Sequence, residues 1–187
     1  MRIGIDIDDT ITNSTEVVKE YINKYDSLYC DDNRLKNKIN EIVRGTFADE
    51  IVRKFFRDYS LEMGNKIKVK DNAKEIIDKL KNEGNEIYII TARSDLFYDD
   101  AQKFCEEYLK NNEIYFDKLI TAQTYKVECC KNEKIDLMID DAVDTVENLN
   151  KENIKAILFN SELNIDKNTN VKRVNNWLEL YNAINNM

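Results

Sequence analysis

Histidine and proline are both absent from the 187 residues of this chain. The first absence removes Ser-His-Asp and Cys-His nucleophile activation, histidine phosphorylation chemistry, and every zinc site with a histidine ligand. The second leaves helix ends to be marked by Gly, Asn and Asp alone, and glycine itself is scarce, with 4 residues. No run of about 18 apolar residues occurs, and the opening MRIGIDIDDT lacks the apolar stretch of a signal peptide. The expectation is a soluble, cytoplasmic protein without a membrane role. Basic residues are in deficit, 28 Lys and Arg against 36 Asp and Glu for a net charge of −8. That balance offers no electrostatic footprint for a nucleic-acid polymer or an anionic membrane. Cys30, Cys105, Cys129 and Cys130 have no C-x-x-C spacing and are too few for a disulfide framework, so they read as reduced thiols, mostly core filler. The remaining chemistry must come from carboxylates, lysine, hydroxyls and a hard metal ion.

What is present is an alternation of short Ile-rich runs with amphipathic stretches. Arg2–Ile7, Glu86–Ile90, Lys118–Thr121, Ile135–Ile139 and Lys155–Phe159 read as five buried strands. Between them, Asn72–Asn82, Tyr98–Lys110 and Ala142–Asn150 carry apolar residues at helical spacing. Alternating strands and helices predict an α/β fold with a doubly wound parallel sheet. Gly84, in Glu83-Gly84-Asn85, suits a left-handed helix cap before the second strand. Asn160 to Asn170 reads as a loop, and Trp177–Ile184 as a closing helix. One segment breaks the alternation: from Ser14 to Asn65 the pattern is helical, with Val17, Val18, Tyr21, Ile22 and Tyr25, then Ile39, Ile42 and Val43, then Ile51, Val52, Phe55, Phe56 and Tyr59. The expected organisation is a core of residues 1–13 and 66–187 with a helical cap of residues 14–65 inserted after the first strand.

In an open parallel sheet, ligands bind beyond the carboxyl ends of the strands, where strand order reverses. Here the first strand runs into Asp6-Ile7-Asp8-Asp9-Thr10, the second into Thr91-Ala92-Arg93, the third into Thr121 with Lys126 beyond it, and the fourth into Asp140-Asp141. Any one of these residues alone is ordinary, an Asp at a strand end serving often as a helix cap. Together they are not. Carboxylates within a few ångströms repel by about 1 to 4 kcal/mol per close pair at effective dielectrics of 80 to 20, so the cluster calls for a cation. Oxygen ligands without histidine or thiolate select a hard ion, and a site open to phosphate suits Mg²⁺. Lys126 is preferred over Lys131 and Lys134 because it leaves room for a helix and a strand before Asp140 and falls at the helix start.

Asp6-x-Asp8-x-Thr10, Thr91, Lys126 and the Asp140-Asp141 pair, in that order, resemble the four motifs of haloacid dehalogenase-type phosphohydrolases. The resemblance covers the chain from about Arg2 to Phe159. It implies that Asp6 is a nucleophile that forms an aspartyl-phosphate, that Asp8 is the general acid and base, and that Thr91, Ala92 and Lys126 bind phosphate. It further implies Mg²⁺ held by Asp6, the Asp8 main-chain carbonyl, Asp140 and, through water, Asp141. With its cap after the first motif, the layout looks like the 5′(3′)-deoxyribonucleotidase family and its bacterial relatives. That family implies a nucleoside monophosphate as substrate and aromatic side chains, Phe47 and Phe55 among them, stacking the base. Asp9, where many members have Gly, and Arg93 depart from the pattern. A second reading takes a sugar phosphate or another small phosphomonoester, with Arg44 or Arg93 binding a second anionic group. A phospho-aspartate receiver module uses similar residues, but its acidic pair follows the first strand and its acceptor the third.

Overall fold

The computed structural model describes residues 1–30, 33–38 and 50–187. Among these residues the Ile-rich runs pair into one six-stranded, all-parallel sheet in the order β3-β2-β1-β4-β5-β6. Its strands are β1 (Arg2–Ile5), β2 (Glu86–Ile90), β3 (Lys118–Ile120), β4 (Leu137–Asp140), β5 (Lys155–Phe159) and β6 (Arg173–Val174). Strand order reverses between β1 and β4, in register Ile3 with Leu137 and Ile5 with Ile139. Alternate side chains serve opposite faces. Ile87 and Ile89 join Ile3, Ile5, Leu137 and Ile139 in one core, whereas Tyr88 and Ile90 join Met138, Ala156 and Leu158 in the other. Gly4 permits this close packing, since a Cβ there would lie 2.6 Å from the Met138 sulfur.

Three boundaries differ from the sequence expectation by two residues or more, and each has a local cause. β1 stops at Ile5 because Ile7–Ile11 forms a wide helical turn with Asp9 in the left-handed region at φ 54°. β4 starts at Leu137 because the Ile135 N–H closes the preceding helix on the Cys130 carbonyl at 2.9 Å. The helix predicted from Tyr98 begins at Ala101, where the Asp100 carboxylate accepts the Lys103 N–H at 2.9 Å and caps it. The strand β6 was not among the five expected, being only two residues long.

Helices α1 (Ser14–Tyr29), α2 (Arg34–Asn37) and α3 (Glu50–Lys66) lie between β1 and β2 and build a third core around Val18, Tyr21, Ile22, Tyr25, Leu35, Val52, Phe55 and Met63. Each such side chain taken from water contributes roughly 1.5–3 kcal/mol. The buried Asp26 accepts from the Leu35 and Lys36 amides at 3.0 and 2.7 Å, which ties α2 to α1. The chain enters and leaves this lobe on two adjacent segments. Thr12 bridges Val69, the Asn13 N–H donates to Lys68 at 3.0 Å, and the Lys70 N–H donates to Ile11 at 2.8 Å.

Among the described residues the remaining helices are α4 (Ala73–Asn82), α5 (Ala101–Asn111), α6 (Lys126–Glu133), α7 (Val143–Lys151) and α8 (Trp177–Asn185). Gly84, at φ 85°, takes up the left-handed turn after α4 as its position suggested. The lobe leans on the core through α3. There the Ser60 hydroxyl donates to the Phe97 carbonyl at 2.6 Å, the Tyr108 hydroxyl to the Ile67 carbonyl at 3.0 Å, and Gly64 lies against the Phe104 ring. Cys105, Cys129 and Cys130 are buried, and all four cysteines are free thiols. No helix among the described residues is long and apolar enough to cross a membrane.

Candidate active site

The end of β1 and the end of β4 are neighbours at the reversal of strand order, so Asp6 and Asp140 arrive side by side. The Asp6 N–H donates to the Ile139 carbonyl at 3.0 Å, which carries the β1–β4 pairing into the site. Lys126, the first residue of α6, is buried and bridges the two acids: its ammonium donates to Asp6 Oδ1 and, at 2.6 Å, to Asp140 Oδ2. The other Asp140 oxygen accepts the Ala142 N–H at 2.8 Å. Burial is the largest influence on Asp6; with Asp140 and Asp8 nearby it pushes the carboxyl up to about 7 in spite of Lys126. For Lys126, burial acts to lower the ammonium, but the two carboxylates outweigh it and hold the lysine raised and charged.

Asp8 sits two residues on, its side chain 41% exposed. The Arg93 guanidinium forks onto it, Nε to Oδ2 at 3.0 Å and Nη2 to Oδ1 at 2.7 Å, and the Ser14 hydroxyl donates to Oδ1 at 2.5 Å. Desolvation acts to raise this carboxyl, but Arg93 and the hydrogen bonds outweigh it and hold Asp8 below the usual carboxylate range. At rest Asp8 is an anion. Thr91, fully buried, caps the end of β2 with its N–H on the Ile120 carbonyl at 3.0 Å, and Ala92 beside it is exposed. Asp141 accepts from the Ser161 hydroxyl at 3.1 Å; burial first, then Asp140, Asp9 and Asp6, raise its carboxyl well above the usual value.

The loop between β1 and α1 explains the departure at position 9. Its left-handed backbone favours Gly or Asp, and the Asp9 side chain also accepts the Thr15 N–H at 2.9 Å and the Thr15 hydroxyl. It thereby satisfies a free amide in the first turn of α1. Asp9→Ala is expected to cost about 1 to 3 kcal/mol, from a lost cap and an unfavourable φ. Asp9→Gly is expected to cost less, because the backbone term disappears. Urea denaturation of the two variants checks the ordering. The same loop is held from below by the fully buried Trp177, whose indole N–H donates to the Thr10 carbonyl at 3.1 Å.

The structure thus brings Asp6, Asp8, Thr91, Ala92, Lys126, Asp140 and Asp141 to one edge of the sheet. The competing lysines go elsewhere: Lys131 pairs with Glu152 at 2.9 Å on the surface, and Lys134 is the left-handed cap after α6. Phe55 does not present a face for stacking. It is fully buried, ring to ring with Tyr25 at 5.5 Å and Phe56 at 5.2 Å, because the lobe needs it as core. Phe47 and Arg44, with Ile39, Ile42 and Val43, lie outside the described residues. The role of Arg93 was missed. It is not an open anion site but the buried partner of Asp8, seated 5.9 and 5.5 Å from the Phe104 and Tyr108 ring centroids. Its place directly after β2, the neighbour of β1, is the signal that knowledge of the strand order would have supplied.

Among the described residues no three acidic or thiol side chains converge as a ready coordination sphere. Lys126 occupies the space between Asp6 and Asp140, and the Asp8 carboxylate is turned to Arg93. The donor set nevertheless fits a hard divalent ion: carboxylates in excess of the two buried cations, oxygen-only chemistry, and acids raised first by burial and then by one another.

The chain that carries this six-stranded doubly wound sheet, its Asp-x-Asp loop at the reversal of strand order and its buried bridging lysine is, by its family match and relatives, a haloacid dehalogenase-type phosphomonoester hydrolase. Solved structures share the fold. A predicted phosphatase from Clostridium acetobutylicum superposes with a TM-score of 0.71 at 20% identity, over 100% of this chain and 98% of that one. A "Putative haloacid dehalogenase-like hydrolase" from Bacteroides fragilis gives 0.67 at 14% identity, over 95% and 98%. The chain belongs to the family of 5′ nucleotidase, deoxy (pyrimidine), cytosolic type C proteins, whose model matches residues 1–187. The "Putative nucleotidase YqfW" of Bacillus subtilis is 32% identical over 193 residues, covering 100% of this chain and 94% of that protein.

Proposed function

We propose that this hydrolase is a Mg²⁺-dependent nucleotidase that dephosphorylates nucleoside monophosphates through an aspartyl-phosphate at Asp6. The observation that carries the reading is the buried Lys126 ammonium bridging Asp6 and Asp140 at the strand-order reversal. A carboxylate placed there beside a fixed cation is a preorganised nucleophile for an incoming phosphate. Asp8, an anion at rest, first takes the proton of the substrate's phosphate monoanion; an Asp6 oxygen attacks phosphorus, the bond from phosphorus to the ester oxygen breaks, and Asp8 delivers that proton to the departing oxygen. Asp8 then takes a proton from water, the resulting hydroxide attacks phosphorus, and inorganic phosphate leaves with Asp6 restored. The Thr91 hydroxyl, the Ala92 peptide and Lys126 hold the phosphoryl oxygens. Asp6, the Asp8 main-chain carbonyl, Asp140 and Asp141 would hold Mg²⁺, which when bound neutralises charge on the phosphate. The helical lobe, residues 14–65, acts as a cap over a core of residues 1–13 and 66–187.

The substrate class rests on the family's description and on the small, acidic chain, which suits a metabolite better than a polymer. Because Phe55 is committed to the cap's core, a sugar phosphate or other small phosphomonoester stands as the second reading. Phosphate release from deoxynucleoside and ribonucleoside monophosphates, sugar phosphates and p-nitrophenyl phosphate, each with Mg²⁺ and with EDTA, separates the two. Activity confined to sugar phosphates would overturn the nucleotide assignment, and full activity in EDTA the metal. Metal affinity should also depend on pH. Burial pushes the Asp6 carboxyl up to about 7, and only its ionised form binds a cation. Lowering the pH below about 7 is therefore expected to weaken Mg²⁺ binding by up to about tenfold per unit. Mg²⁺-induced thermal shifts measured between pH 5.5 and 8 check the sign.

A further inference from the structure

Asp8 has to serve both halves of the reaction from one place, yet it is a short side chain on a loop with two-fifths of its surface open. Its orientation comes from outside that loop. Arg93 grips both carboxylate oxygens in a fork, and its own position is fixed by burial against Phe104 and Tyr108. Such planar two-point contact restrains a carboxylate in angle as well as distance. Ser14, the first residue of α1, adds a third contact and is itself hydrogen-bonded to Thr12 at 2.7 Å, where the two segments joining lobe and core meet. Arg93 Nη1 is buried and has no hydrogen-bond partner among the described residues.

We propose that Arg93, supported by Ser14, is the positioning residue for the acid/base carboxylate, and that it acts on the reaction only through Asp8. The inference rests on the assignment of Asp8 as acid and base. It deepens that reading by naming what aims Asp8, and through Ser14 it ties the aim to the placement of the helical lobe. An Arg93→Lys exchange keeps the charge but cannot reproduce the fork.

The test uses the dependence on leaving group. A nucleoside hydroxyl needs its proton delivered as the ester bond breaks, whereas p-nitrophenolate leaves without one. The ratio kcat/KM reports the first phosphoryl transfer. For Arg93→Ala, kcat/KM on a deoxynucleoside monophosphate is expected to fall about a hundredfold, within the range of a general acid's contribution. On p-nitrophenyl phosphate it should fall less than about tenfold, with KM for either ester little changed and with guanidinium ions restoring part of the loss. Arg93→Lys and Ser14→Ala should show the same split at smaller size, and they carry the test should Arg93→Ala fail to fold. Equal losses on both esters, or a raised KM with kcat intact, would overturn the inference and mark Arg93 as structural or substrate-binding. A wild-type enzyme silent on both esters in Mg²⁺ would instead overturn the underlying reading of the site and the inference with it.

Discussion

Asp6→Asn is expected to reduce phosphate release by at least about 10⁴-fold, with the fold intact. Asparagine preserves the shape of the side chain and can still accept from Lys126, but its amide oxygen is no nucleophile towards phosphorus. The expected loss exceeds that of a missing general acid, about 10² to 10⁴, because the covalent route itself is removed. Stability should not suffer, since burial already disfavours the ionised form of Asp6 at neutral pH. Single-turnover assays with purified variant and wild type, alongside thermal melts, measure both quantities. Retention of more than a tenth of wild-type turnover would end the assignment of Asp6 as nucleophile.

Lys126→Ala is expected to damage stability and catalysis together, which distinguishes it from Asp6→Asn. The lysine is the shared counter-charge of two buried carboxylates, at 5% side-chain exposure against 8% and 2% for Asp6 and Asp140. Removing one partner of such a group typically costs about 3 to 5 kcal/mol. The sign of the pH dependence follows from Asp6. Its folded-state carboxyl is already raised to about 7, and the contact with Lys126 is what restrains it. Without the lysine it rises further, and a carboxyl raised on folding takes stability away as pH increases through that value. The penalty should therefore be larger at pH 8 than at pH 5.5, as urea denaturation at the two pH values would show. A penalty that shrinks at pH 8 would contradict the bridging role. In activity, loss of a fixed cation that meets developing phosphoryl charge is expected to lower kcat/KM by about 10² to 10³.

Much of this arrangement was legible in the chain before folding, for identifiable reasons. The polar residues of the site are found by combining short Ile-rich runs with the residues at their carboxyl ends, and Asp6, Thr91 and Asp140 were reached in this way. Lys126 was placed by arithmetic, since a helix and a strand must fit between it and Asp140, and α6 begins at that residue. What escaped depends on separations that no local pattern encodes. The Arg93–Asp8 fork spans 85 residues and requires knowing that β1 and β2 are neighbours. Phe55 looked available for stacking because helical spacing reports which face is apolar, not whether a neighbouring helix covers it. β6 is too short to show a period, and it is held by pairing with β5. Asp9 looked like an anomaly in the motif until its backbone angle and its contact with Thr15 showed one residue doing the work of a turn former and a cap.

The hydrogen bond from Trp177 to Thr10 joins positions 167 residues apart. Every residue assigned to the chemistry precedes position 142, so a ribosome has made all of them well before it reaches the last helix. The loop that carries Asp8 and Thr10 is held earlier by Arg93 and Thr15, but it gains the Trp177 contact only once α8 has docked. A nascent or C-terminally clipped chain therefore holds every residue proposed for the chemistry but lacks this contact.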